Sequence, residues 1–489
     1  MKKFLRSYKF WLIIFALLVV TGSVYTYHMV NRYKVLDRAV FNDFRDRIIS
    51  VSESGGFESP EQLSTFITDW ANEKGIECKT DKAGNIIFDK AAIERKKNVT
   101  PTLIIVNMNY QTAADNSELL ASAASIASAD LNSGRKTVVF ANNNNETDSG
   151  IKSLSKKIIG NKSKVIYMDF GSKAYVSVYS YAKSLSEIRI PSKTEKNTMD
   201  SAIKIHIGGI NTAVVSPEAD KQPDPISELG ELLTRLKSRS IEFRVADFDL
   251  SSYENMYPDS IDVTIALNSY SLPTYTKYID HRIKSFKNDY DNNSPDLEYT
   301  YEIIDTSEDI PKNCYDAHTS DLMARLLYTV NSGVYRFTEN DPIPEGKIVN
   351  DVCGINCMMN IEKSSGGIVL KMLSQGYDET FLNRILMDNH ASAELNECSF
   401  TETEHIDAFQ NDKNSLIRTF RNTYSKVYDT SDNAQLAIRV DDRFTPCSYL
   451  LKKNNNADIV HLRLSSKSVV KLTNTLMCYI KSKGNTFSL

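Results

Sequence analysis

The sequence has little net charge and no cysteine pattern, and each absence excludes a class of protein. Its 58 lysines and arginines nearly balance its 62 acidic residues, giving a formal net charge of -4, and no long basic stripe is present. This balance argues against a nucleic-acid partner. The seven cysteines are scattered and odd in number, which does not fit a disulfide framework. Cys353 and Cys357 have no second pair or nearby histidine to complete a zinc knuckle, so we expect buried free thiols.

Acidic and basic residues are also absent from one long stretch near the N-terminus. Residues 10–31, between Lys9 and Arg32, contain neither, and a helix of about 22 residues covers roughly 33 Å, enough to cross a bilayer. Basic residues precede the stretch, so the positive-inside rule places residues 1–9 in the cytoplasm and the bulk of the chain outside. We therefore predict one transmembrane anchor. A cleaved signal peptide is the alternative, because the most apolar part is short, but no Ala-x-Ala site follows it.

What the chain does contain is a series of apolar strands that end in polar residues. Strands are predicted over residues 101–110, 136–141 and 165–169, with an alanine-rich helix over 117–129 after the first. This alternation is typical of a doubly wound α/β sheet, in which sites gather where the strands end. The three strands end in these polar residues: Asn107 and Asn109, Asn144 and Asn145, and Asp169.

The 489 residues are too many for one ordinary core, so at least two domains are expected. From about residue 186 the pattern changes to period-two strands separated by helices, and a similar order recurs, which predicts an α+β domain of two related halves. We therefore predict a sheet domain formed by residues 32–185 and 400–489, with residues 186–399 inserted. His206 lies in an alternating strand of the insert, where it either faces a cleft or packs as an ordinary histidine.

Four short stretches occur in an order and spacing that resemble one known family. They are Trp70-Ala-Asn-Glu-Lys-Gly-Ile-Glu77, Asp81-Lys-Ala-Gly-Asn-Ile-Ile-Phe-Asp-Lys-Ala-Ala92, Ala114-Asp115-Asn116 and Asn255-Met-Tyr-Pro258. Together they resemble the Xaa-His dipeptidases (aminoacyl-histidine dipeptidases), among the aminoacylase and carboxypeptidase type of co-catalytic zinc peptidases. The resemblance covers nearly everything after about residue 38. It implies a doubly wound, zinc-peptidase-like sheet domain with an inserted α+β lid domain.

The resemblance also implies where the metal-binding residues should lie. The family's metal-binding histidine falls on Asn107, and its orienting aspartate falls on Asn109. Carboxylates remain at Asp115, the metal-bridging position, and at Asp169, a ligand of the first metal. An arginine that the resemblance places near residues 373–375 is missing.

The positions that the resemblance assigns to catalysis also carry other residues. The family's Glu-Glu pair, which supplies the general base and a further ligand, falls on Asn144 and Asn145, although a local shift would recruit Glu146 instead. The histidine that binds the transition state falls on Ile210. The family's late histidine-containing loop has no counterpart after residues 461–464.

These substitutions remove the chemistry that the family needs. An asparagine amide cannot act as a general base near neutral pH and is a poor zinc ligand. Two carboxylates also fall short of the three protein ligands that a catalytic zinc usually has. We therefore predict a membrane-anchored pseudopeptidase that has a degenerate metal site, requires no cofactor, and binds a peptide, an amino-acid derivative or a protein partner. The oligomeric state is left open.

Two other functions are kept as alternatives. One is an active metal-dependent dipeptidase with rearranged ligands, for example Asp115, Asp169 and Glu146. The other is a structural envelope protein with a vestigial cleft. Asp115 and Asp169 are either remnants of a site for zinc or another divalent cation, or acids that cap a helix or a turn. Five further histidines show no metal-ligand spacing: His281, His318, His390, His405 and His461.

Overall fold

The structure is a computed structural model, and it divides into two compact units that are described separately. The first unit comprises Met1–Val178, Asn411–Arg439 and Tyr449–Leu489, and the second comprises Tyr179–Gln410 and Val440–Ser448. The described residues are 15 and 33–482, except 132, 144–148, 161–162, 211–220, 252–256, 291, 293, 345–346, 412–414 and 429–435.

The predicted anchor over residues 10–31 lies outside the described residues, apart from residue 15. Within the described part of the chain, no helix combines the length and the apolar character that crossing a membrane requires. The thiol prediction is confirmed, because all seven cysteines are free and every one except Cys78 is buried.

Twenty strands and twelve α-helices are described. The strands are β1 Lys79–Thr80, β2 Ile86–Lys90, β3 Thr102–Met108, β4 Lys136–Asn142, β5 Lys164–Phe170, β6 Tyr175–Ser180, β7 Ala182–Ile190, β8 Thr194–Lys196, β9 Ser201–Gly208, β10 Phe243–Ser251, β11 Ser260–Leu267, β12 Glu298–Ile304, β13 Asn313–Tyr315, β14 Gly333–Arg336, β15 Val352–Ser364, β16 Gly367–Gly376, β17 Ser399–Ile406, β18 Phe409–Gln410, β19 Ile438–Val440 and β20 Asp458–Leu464. The helices are α1 Arg38–Glu53, α2 Pro60–Glu73, α3 Ser117–Ser128, α4 Ser149–Ser153, α5 Lys156–Ile159, α6 Pro225–Ser238, α7 Leu272–Tyr290, α8 Ala317–Thr329, α9 Glu379–Leu395, α10 Ser415–Tyr428, α11 Cys447–Lys453 and α12 Val469–Ser482.

The sheet of the first unit has the order β1-β2-β4-β3-β5-β20-β6. Strands β4, β3, β5 and β20 are parallel, whereas β2 and β6 pair antiparallel at either side of them. The chain passes from β3 to β4 on one side and returns to β5 on the other, so the strand order reverses between β3 and β5. The predicted strands and the helix after β3 are confirmed, and the unit is α/β.

Helix α3 fixes β3 in the middle of this sheet. Its small residues let α1 and α12 approach closely, and the Ser122 hydroxyl contacts the Thr473 hydroxyl on α12. The buried Lys136 ammonium donates to the carbonyl oxygens of Ile126, Ala127 and Ala129, which satisfies carbonyls that the end of a helix leaves free. Burial lowers the pKa of Lys136 to about 7.

The second unit contains two larger antiparallel sheets, ordered β10-β11-β9-β12 and β14-β15-β16-β7-β17. β7 and β17 pair with each other, so residues 182–190 and 399–406 both lie in the second unit. The predicted domain limits, residues 32–185 with 400–489 and the insert 186–399, therefore differ from the unit limits. The difference arises because strand pairing, which the sequence pattern does not reveal, keeps these two segments together.

The core of the second unit holds an ion pair. Glu228 on α6 is 2% exposed and accepts hydrogen bonds from Arg282 Nε at 3.0 Å and from the Tyr299 hydroxyl at 3.0 Å. Arg282 Nη2 also contacts the second carboxylate oxygen. Burial raises the pKa of Glu228, while Arg282 and Tyr299 oppose that rise. Both carboxylate oxygens therefore have partners.

Candidate functional site

Polar side chains gather on one face of the first unit's sheet, at the carboxyl ends of β3, β5 and β20. Parallel register aligns Val106 with Met168, and Arg463 with Asp169. The even-numbered residues of these strands, such as Val106 and Met168, belong to the core that contains α3 residues. Because side chains alternate along a strand, the odd-numbered residues point to the opposite face. This polar face consists of Asn107, Tyr167, Asp169, His461 and Arg463.

Asn107 contacts Tyr167 across the two neighbouring strands. Its Nδ2 donates to the Tyr167 hydroxyl at 3.2 Å. The Tyr167 ring lies 5.3 Å from the ring of the fully buried His461, centroid to centroid. His461 Nε2 is 3.7 Å from Asp169 Oδ2, while Asp169 Oδ1 accepts from the Phe170 amide at 2.7 Å. The structure therefore brings Asn107 and Asp169 to neighbouring strand ends and adds His461 to them.

Asn109, the predicted position of the orienting aspartate, forms a local turn after β3. Its Oδ1 accepts from the Gln111 amide at 2.8 Å, and its Nδ2 donates to the Asn143 carbonyl at 3.3 Å. Asparagine favours such turns because its side chain mimics a backbone group. The contact joins the end of β3 to the residue after β4.

A second asparagine holds the end of β4. Asn85 is fully buried, and its Oδ1 accepts from the Asn142 amide at 2.8 Å. Its Nδ2 donates to Asp81 Oδ2 at 2.8 Å and to the Gly150 carbonyl at 3.0 Å. Asn85 therefore joins the turn before β2, the end of β4 and the start of α4.

Arg463 is the cation of the polar face. Its Nη1 donates to the Tyr175 hydroxyl at 3.0 Å, and the guanidinium carbon lies 5.7 Å from the Tyr175 ring centroid. Gly171 leaves space for it, because a Cβ at that position would overlap the guanidinium nitrogens. The guanidinium carbon of Arg439, on β19, lies 5.9 Å from the same ring centroid. Two guanidinium groups therefore surround one tyrosine.

The other predicted site residues lie elsewhere or outside the described residues. Asp115 is exposed in the turn before α3, where Asn116 takes the N-cap position. Asn144, Asn145 and Glu146 are not among the described residues. The assignments of all of these positions stay predictions.

In the second unit, two predicted positions are also placed. Ile210 is 5% exposed and packs in the hydrophobic core. His206 on β9 is half-buried, and its Nδ1 lies 3.1 Å from Asp262 Oδ1 on the paired strand β11. This contact is typical of a cross-strand pair on a sheet surface.

Within the described residues, one group of three His, Cys, Asp or Glu side chains has donor atoms within 4.8 Å of one another, namely Glu379, His405 and Asp407. His405 Nε2 is 2.8 Å from Glu379 Oε2, and its Nδ1 is 2.7 Å from Glu402 Oε1. Burial lowers the pKa of His405, but the bonds to Glu402 and Glu379 outweigh it and the net shift is upward. This geometry is that of an imidazolium held between two carboxylates.

The fold is similar to that of a solved dipeptidase. Aminoacylhistidine dipeptidase from Vibrio alginolyticus has this fold, with a TM-score of 0.56 and 14% sequence identity over 92% of this chain and 98% of that one. A tripeptidase from Staphylococcus aureus (TM-score 0.43, 10% identity, 92% of this chain and 99% of that one) and aminopeptidase PepT from Bacillus cereus (TM-score 0.44, 8% identity, 92% and 100%) are less similar. Neither a protein-family model nor a curated protein matches the sequence.

His461 and Arg463 were not predicted as members of the site. Both belong to β20, which pairs with β5 although the two strands are far apart in sequence. The pattern of residues 458–464 contained a usable indication, because its polar side chains are spaced by two and therefore share one face. A prediction that β20 follows β5 in the sheet would have placed both residues beside Asp169.

Proposed function

We propose that the protein is a membrane-anchored pseudopeptidase, which keeps the dipeptidase fold, lacks metal-dependent hydrolysis and binds a peptide or an amino-acid derivative at the strand ends of the first unit. One observation carries the proposal. The side chains that the polar face presents include the amide of Asn107 and the guanidinium of Arg463, where a co-catalytic zinc site would need anionic or imidazole ligands.

The residues at the strand ends do not fit a pair of zinc ions. Asn107 points an amide N–H, which cannot bind a cation, at Tyr167. Asp169 has His461 beside it but belongs to no described group of three metal-binding side chains, and Asp115 is exposed. Arg463 lies beside Asp169 in register and adds positive charge, which disfavours a dication there.

The proposed location follows from the apolar stretch over residues 10–31 and the basic residues before it. In this arrangement the folded units lie outside the cytoplasm, where the strand ends would meet extracellular or envelope peptides. Membrane fractionation of the full chain, with protease added to intact cells, tests both statements. Recovery of the chain in the cytosolic fraction would contradict the anchor.

Hydrolysis assays test the loss of activity directly. The full chain is incubated with aminoacyl-histidine dipeptides and Zn²⁺, Mn²⁺ or Co²⁺, and bound metal is measured by elemental analysis. We expect no metal-dependent turnover. Turnover at ordinary enzyme rates that is abolished by Asp115→Ala, with Asp69→Ala as an exposed control, would instead support the active dipeptidase with rearranged ligands.

A further inference from the structure

We infer that Arg463, Arg439 and Tyr175 form a binding site for a carboxylate group of a peptide or amino acid. The inference rests on the proposed function and names the chemical class that the strand-end site would recognise. It depends on the donors, the charge and the position of these three residues.

The guanidinium of Arg463 has hydrogen-bonding capacity that the described residues do not use. An arginine has five N–H donors in a planar fork. The one hydrogen bond that this fork makes to a described residue goes from Nη1 to the Tyr175 hydroxyl, at 3.0 Å. Nε is shielded from solvent and has no acceptor among the described residues. Nη2 makes no hydrogen bond to a described residue and, unlike Nε, is not shielded, so an anionic ligand can accept from it.

The charge of this site is also unbalanced. Arg463 and Arg439 both lie within 6 Å of the Tyr175 ring centroid, at 5.7 and 5.9 Å. In the described part of the chain, neither arginine is within 4.0 Å of a carboxylate oxygen. Lys164 and Arg135, in the same unit, each pair with an aspartate. Two arginines around one aromatic ring, neither of them in an ion pair with a described carboxylate, attract an anion.

The position in the fold favours a ligand site. Arg463 is at the carboxyl end of β20, one strand away from the point between β3 and β5 where the strand order reverses, and ligands of open α/β sheets bind at such points. The arginine fork matches the two coplanar oxygens of a carboxylate. Asp169 lies in register with Arg463, so its negative charge disfavours a phosphate dianion more than a carboxylate monoanion.

Calorimetry tests the inference by comparing three ligands of the full chain. They are alanyl-histidine, alanyl-histidine with a C-terminal amide, and inorganic phosphate. We expect the free acid to bind, and the amide to bind about tenfold more weakly or worse, because it lacks the charged acceptor. Arg463→Gln and Arg439→Gln should each weaken the acid by a similar factor. Gly171→Ala should also weaken it, because the added methyl displaces the guanidinium while leaving its charge. Arg418→Gln, on the exposed surface of α10, is the matched control and should bind like the unmodified chain.

Several outcomes would overturn the inference. Equal binding of acid and amide would exclude recognition of the carboxylate, and tighter binding of phosphate would identify the wrong anion. Unchanged affinity in both Arg463→Gln and Arg439→Gln would show that the ligand lies elsewhere, and the absence of any binding would remove the site. Arg439→Gln alters an exposed side chain, so it remains informative if Arg463→Gln does not fold. None of these outcomes affects the proposed lack of hydrolysis, which fails only if metal-dependent turnover is found.

Discussion

The two units treat half-buried arginines in opposite ways. In the second unit, Arg282 pairs with Glu228, and Tyr299 completes the shell of that carboxylate. In the first unit, Arg463 contacts a tyrosine hydroxyl and no described carboxylate. Glu228, Arg282 and Tyr299 satisfy one another and stabilise one arrangement of the core. An arginine at a strand end with N–H donors that lack partners among the described residues can instead bind a ligand. The contrast separates structural polar groups from binding groups without using a sequence motif.

The largest expected effect on stability comes from removing Glu228 from its contacts with Arg282 and Tyr299. Glu228→Ala removes the carboxylate and leaves Arg282 without its partner, so the free energy of unfolding should fall by roughly 3–5 kcal/mol. Urea denaturation measures it. Glu231→Ala, on the same helix but half-buried, removes a bond to the Tyr278 hydroxyl and should cost about 1 kcal/mol. Equal losses would mean that the burial of Glu228 does not matter.

Lys136 extends the comparison to a buried amino group that lies among three carbonyl oxygens. Its pKa is lowered to about 7, so between pH 7 and pH 10 the unfolded chain holds a proton that the folded chain has released. The free energy of unfolding of the unmodified chain should therefore rise with pH across this window, relative to that of Lys136→Met. Parallel pH profiles for the two proteins, from denaturant unfolding, would contradict the lowered pKa.

The contact between Asn107 and Tyr167 should have an intermediate effect. Tyr167→Phe removes the hydroxyl that accepts from Asn107 Nδ2, so stability should fall by about 1 kcal/mol, as for a typical lost hydrogen bond. Tyr270→Phe alters a tyrosine that is 77% exposed and should leave the unfolding midpoint unchanged. If both variants behave alike, Asn107 is not oriented by Tyr167.

The smallest expected effect concerns His405, whose partners are partly exposed. Its pKa is raised, so the charged form stabilises the fold below about pH 6.5 and this stabilisation is lost as the pH rises through the raised value. His405→Gln should therefore lower the unfolding temperature more at pH 6 than at pH 9. His390→Gln, on the exposed face of α9, is the control. A loss that is the same at both pH values would mean that charge is not involved.

Much of the fold was predictable because several strands and helices correspond to continuous apolar or alanine-rich runs in the sequence. The apolar run that becomes β3 and the alanine-rich run that becomes α3 are continuous in sequence, and their limits were predicted to within a few residues. The alternation of strands and helices along the chain also predicted that Asn107 and Asp169 lie where strands of one sheet end. The pairing of β7 with β17 was not predictable, because strands that alternate equally well can pair in several orders.

Asn107 and Asp169 were predicted because they end apolar strands and because the resemblance assigns metal-binding positions to them, whereas neither indication covers Arg463. Its significance depends on Tyr175, which is 288 residues away in sequence, and on the space above Gly171. Contacts of this range exist only in the folded chain.

Asn85 has a consequence for how such proteins are recognised. The stretch from Asp81 to Asn85 carries part of the resemblance to the dipeptidases, yet its side chains are occupied in joining a turn, a strand end and a helix start. Their task would be the same whether or not the sheet edge performs chemistry. A signature built on this stretch therefore records architecture, and an activity transferred on its strength would be assigned to catalysts and to non-catalytic descendants alike.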